Sequence, residues 1–123
     1  MRIYKELEAL GFFEWLDEIH KLKDVDVDIE YLDGLTLNDI HRTFLNSLAF
    51  RWFREQHDWQ ATIEATSDQH TRKLGYNYWI WNHKTGEEHH TMSNDRPSGD
   101  WIYETHEEAE LQCLLKLIKI IKQ

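Results

Sequence analysis

Residues 76–93 read YNYWIWNHKTGEEHHTMS, and the reading of this stretch decides the fold. Tyr76, Tyr78 and Ile80 alternate with Trp79 and Trp81, so a period of two places large apolar area on both faces of one strand. HKTGEE supplies a turn around Thr85 and Gly86, and HHTMS returns as the hairpin partner. Upstream, WQATIEAT (59–66) sets Trp59, Ala61, Ile63 and Ala65 against Gln60, Thr62, Glu64 and Thr66, the pattern of a half-buried strand. The segments near 59–66, 76–82 and 88–93 therefore make a small antiparallel sheet. The two-sided aromatics predict a central strand buried between layers; the alternative is a stacking platform for bases or sugars.

Helical patterns flank these strands. TLNDIHRTFLNSLAFRWFREQH (36–57) opens with Thr36 and Asp39 at capping-box-like spacing, Asn38 being an alternative cap. Leu37, Ile40, Phe44, Leu48 and Trp52 form one stripe, while Phe50, Phe53 and His57 fall nearly opposite. Such a helix packs against two partners, the sheet on one face and the N-terminal segment or a second subunit on the other. In YETHEEAELQCLLKLIKII (103–121), Thr105 and Glu108 make a capping box. Glu107, Glu108 and Glu110 sit at the positive end of the helix dipole, and Lys116, Lys119 and Lys122 sit toward the negative end. Leu111, Leu114, Leu117, Ile118 and Ile121 centre a broad apolar arc beside a narrow wet stripe of Gln112 and the three lysines, which describes a core helix.

At the N-terminus, Ile3, Leu7 and Leu10 keep helical spacing, Gly11 interrupts, and Phe12, Leu16, Ile19 and Leu22 resume it, a broken helix. DVDVDIEY (24–31) alternates Val25, Val27, Ile29 and Tyr31 with Asp24, Asp26, Asp28 and Glu30, as in a one-face-solvated edge strand or an extended acidic arm. The expectation is a single α+β domain over 1–123: an α-β-β-β-α core from 36 to 123, and an accessory helical and extended arm from 1 to 35.

Composition narrows the function. With Lys+Arg 14 against Asp+Glu 23, the net charge of −9 repels phosphate backbones and anionic lipid and favours basic partners. The lone Cys113 lies in an apolar helical stretch, as a buried inert thiol in a reducing cytoplasm does. MRIYKELEALGFFEWLDE has no uninterrupted apolar run of the secretory kind, and nothing approaches the roughly 18 apolar residues of a membrane span.

The chemical motifs are incomplete. His83, His89 and His90 lack the spacing of a zinc site, and HEEAE (106–110) carries Glu110 where a zinc-protease helix has its second histidine. DVDVDIEYLDGL (24–35) has Ile29 and Leu35 where a calcium loop needs glycine and glutamate. Ser47, Ser67, Ser93 and Ser98 lack a nucleophile elbow. No catalytic, cofactor or metal residue is assigned. An enzyme or metal protein would need a cleft of converging carboxylates and histidines. The sequence favours a non-enzymatic protein-binding module or homo-oligomer using Phe50, Phe53, Trp79 and Trp81. An acidic mimic of nucleic acid, presenting Asp24, Asp26, Asp28 and Glu30 to a basic host protein, is the second reading.

The order helix, three strands, helix resembles double-stranded-RNA-binding domains, whose last helix starts with lysines that grip phosphate. Here that turn reads HEEAE, so the resemblance implies the topology without the RNA function. FRWFREQH (50–57) and the 103–120 stretch also resemble the YEEAELACLKKLIEI-type ending of small uncharacterised proteins of bacteria and their phages. That likeness implies a phage or mobile-element origin and carries no activity with it.

Overall fold

A computed structural model describes residues 2–20, 28–35, 39–67, 72–91 and 103–123. Along the chain run α1 (Ile3–Ala9), α2 (Phe12–His20), α3 (Ile29–Asp33), α4 (Ile40–His57), β1 (Trp59–Ser67), β2 (Leu74–Asn82), β3 (Glu88–His90) and α5 (His106–Lys122). The fold is α+β, with an antiparallel sheet in the order β1-β2-β3.

Each strand connection has a local cause. β1 pairs with β2 without a slip from Trp59 opposite Asn82 to Ser67 opposite Leu74. Between β2 and β3 the Asn82 Oδ1 accepts from the backbone N–H of Lys84 (3.0 Å) and Thr85 (3.1 Å), and Gly86 takes φ +80° to finish the turn. β3 ends after three residues, and Tyr103 continues that edge by exchanging two backbone hydrogen bonds with Tyr76 at 2.8 and 3.0 Å. Asp58 is the only residue between α4 and β1 and sits at φ +64°.

All the buried apolar residues of the sheet lie on one side. Trp59, Tyr78 and Ile80 join Ala49, Trp52 and Phe53 of α4 and Cys113, Leu114, Leu117 and Ile118 of α5 in one core. As the capping pattern predicts, the Thr105 Oγ1 accepts from the Glu108 N–H at 3.1 Å to start α5. Its other end is tied to α1 by Lys122 and Glu6 at 2.7 Å.

The N-terminal third departs from expectation. Ile3, Tyr4, Leu7, Phe12, Trp15, Leu16 and Leu32 belong to the same core, so this segment is integral to the domain. The helical break falls at Gly11, whose φ of +96° turns the chain between α1 and α2. Residues 29–33 are helical instead of extended. Asp28 Oδ1 accepts from the Tyr31 N–H at 3.1 Å as the helix cap, and Leu32 turns inward. The period-two pattern was competing with a capping signal, and the cap won. α3 in turn completes α1, because the Asp33 carboxylate accepts from the first-turn N–H groups of Tyr4 (2.8 Å) and Lys5 (3.2 Å), which have no partner within the helix. Asp24 and Asp26 lie outside the described residues, as do Thr36 and Asn38.

α4 meets two partners, but through a different stripe. Phe12 lies edge-on to Trp52 at 5.8 Å and Arg51 lies over the Trp15 ring at 5.9 Å on the α2 side, while Ala49 and Phe53 serve the sheet core. Ile40 and Phe44 are 77% and 63% exposed, whereas Arg42 and Asn46 are buried. The reason is a polar tie. The Tyr4 hydroxyl donates to Asn46 Oδ1 (2.7 Å), Asn46 Nδ2 donates to Glu110 Oε1 (3.1 Å), and an Arg42 nitrogen donates to the Leu35 carbonyl (2.8 Å). Burial holds the Tyr4 hydroxyl well above its ordinary pKa, so it remains a donor. Tyr4→Phe leaves the Asn46 oxygen buried without its donor; a loss of about 1–3 kcal/mol in urea unfolding at unchanged slope is expected.

Candidate functional site

The sheet face opposite α4 and α5 carries a group of aromatic and charged side chains. β2 alternates, so with Tyr78 and Ile80 committed to the core, Trp79 and Trp81 must point the other way. Neither belongs to the core or to the half-buried shell around it. Their rings are 4.8 Å apart at 39°, and Trp79 keeps 36% of its surface exposed. The register sets Thr62 and His90 on either side of Trp79, and Gln60 and Glu88 on either side of Trp81. The His90 ring stands edge-on to Trp79 at 5.8 Å, and its Nε2 lies 3.2 Å from Glu64 Oε2 on β1. The imidazole thus spans the sheet beside the indole pair. The expected second layer over Trp79 and Trp81 is absent among the described residues, because α4 and α5 both pack on the Tyr78 side.

At one margin of this face Asn77 is fully buried; its Oδ1 accepts from the Thr91 hydroxyl at 3.2 Å, and its Nδ2 has no partner among the described residues. Thr91 Oγ1 also accepts from the Tyr78 N–H at 3.0 Å, locking the end of β3 to β2. The platform is therefore pre-organised by main-chain pairing on both sides.

The other expected surface residues are dispersed. Phe53 is completely buried and cannot form a surface: the one-residue link through Asp58 brings the last turn of α4 onto the core. Phe50 is half-buried against the core. Asp28 is spent on the α3 cap, and Glu30 lies exposed in the first turn of α3, so these two do not form a strand-like acidic row. Sequence periodicity had no means of flagging the exposed Ile40, Phe44 and Tyr31, because the polar tie that displaces Ile40 and Phe44 involves residues distant in sequence.

Consecutive strand residues His89 and His90 face opposite sides, His89 lying 6.1 Å from Trp59 on the core side. His83 lies 3.8 Å from Asp58, and His106 lies 3.9 Å from Glu110. Among the described residues no three His, Cys, Asp or Glu side chains converge as metal ligands would. Burial, reinforced by Glu110, pushes the Cys113 thiol far above its usual pKa and keeps it protonated. No family model, curated protein or solved structure matches the chain.

His57 is wedged between Trp52 (4.8 Å) and Phe53 (6.1 Å), and burial lowers its pKa against the opposing pull of Asp58. The unfolded chain then takes up the proton first, so stability falls as pH drops below the ordinary histidine value of about 6.5. Denaturant midpoints for wild type and His57→Gln between about pH 7 and 5.5 should show the smaller decline in the variant.

Proposed function

We propose that the chain is a non-enzymatic protein-binding module and that its contact surface is the Trp79–Trp81 face. The observation that carries this reading is the indole pair at 4.8 Å, Trp79 exposed and Trp81 half-buried, on the sheet face opposite α4 and α5 with Glu64 and Glu88 nearby. An indole face attracts a cationic side chain through its quadrupole, and neighbouring carboxylates reinforce that preference. A net charge of −9 steers basic partners toward the molecule and disfavours nucleic acid. The partner is accordingly a protein presenting lysine or arginine. No described helix is long and apolar enough to cross a membrane. A lone buried thiol fits a cytoplasmic setting, and the α5 ending supports a phage or mobile-element origin.

The test is calorimetric titration with lysine- and arginine-rich peptides, with acidic peptides of equal length as control. Binding should weaken with added salt, and Trp79→Ala should weaken it by about 2- to 30-fold while leaving thermal stability nearly unchanged. Equal binding of acidic and basic peptides, or indifference to removal of both indoles, rules the reading out.

A further inference from the structure

The two edges of the sheet are built differently. The β3 edge is three residues long and, among the described residues, is extended by the Tyr76–Tyr103 bridge. The β1 edge runs nine residues, WQATIEATS, with no proline, no lysine and no bulge in its register with β2. Among the described residues its main-chain groups bond only to β2. A long edge without proline, lysine or a bulge is a template for another strand, and natural sheets ordinarily blunt it. The one charge on β1, Glu64, is directed to the outer face and paired with His90. The core side of the strand is also incompletely covered: Ala61 and Ile63 are half-buried and Ala65 is exposed.

We infer that β1 pairs antiparallel with β1 of a second copy, making one continuous six-stranded sheet in a two-fold dimer. The strand is self-complementary about its central residue, Ile63. In that register Ile63 faces Ile63, Ala61 faces Ala65, Gln60 faces Thr66, and Thr62 faces Glu64. No like charges oppose each other, and every apolar residue stays on the helix-covered side. Because the contact is isologous it closes as a dimer instead of growing into a fibre. Both Trp79–Trp81 platforms then lie on the same face of the joined sheet, so the dimer presents two sites to one basic partner. The inference concerns a different surface from the proposed peptide site, and salt separates the two: association of two copies that each carry −9 strengthens with ionic strength, whereas capture of a basic peptide weakens.

Sedimentation equilibrium of the full chain over a wide concentration range, at low and high salt, should give a reversible monomer–dimer equilibrium favoured by salt. Thr62 is exposed, so its substitution leaves the fold intact, which circular dichroism checks. Thr62→Glu sets a carboxylate against Glu64 of the other copy twice and should weaken the dimer by about tenfold, whereas Thr62→Lys should hold or tighten it. Trp79→Ala should leave the dimer unaffected. A monomer at every concentration, equal effects of Thr62→Glu and Thr62→Lys, or loss of the dimer in Trp79→Ala would each overturn the inference. The Trp79→Ala result would place self-association on the indole face instead.

Discussion

The buried chain of hydrogen bonds from Tyr4 through Asn46 to Glu110 sets the arrangement of the helices. It links α1, α4 and α5, three elements widely separated along the chain, through groups that have little access to water. A buried amide costs free energy when its ends are unsatisfied, and Asn46 turns inward where a hydroxyl and a carboxylate meet it. That requirement fixes the rotation of α4 about its axis. Arg42 and Asn46 are drawn in, Ile40 and Phe44 are turned out, and Ala49, Trp52 and Phe53 are left to face the core. Asp33 plays the matching part for α1, closing its free N–H groups from α3 and so fastening the N-terminal segment to the rest.

With the helices set on one side, the sheet is a one-sided structure. Its inner face packs against α4 and α5, and its outer face carries the exposed Trp79 and the half-buried Trp81 with His90 and Glu64 beside them. Indoles on such a face bring large contact area at little conformational cost. As the first strand of the order β1-β2-β3, β1 has one paired edge and, among the described residues, one open edge.

The strands, the hairpin turn at Gly86, the helix break at Gly11 and the Thr105 cap were legible because each is a local signal. Alternation, a left-handed glycine and a side-chain cap all act within a few residues. The candidate site was partly legible for the same reason: alternation alone puts Trp79 and Trp81 on one face. Phe53 was misread as a surface group because its helical stripe is apolar, and an apolar stripe does not say which of two faces finds a partner. Residues 29–33 were misread because Asp28 fits an alternating strand and a helix cap equally well, and Leu32 decides between them only once it has a core to enter.

What the sequence determined by itself, then, is short-range geometry: the turns and caps that bound the strands and the last helix, and which residues share a side of a strand. Tertiary structure decided which sides are wet. Burial depends on long-range satisfaction of polar groups, as when Tyr4 and Glu110 make Asn46 a core residue. It also depends on the one-residue link at Asp58, which brings the end of α4 back onto the sheet and leaves the opposite face to the indoles.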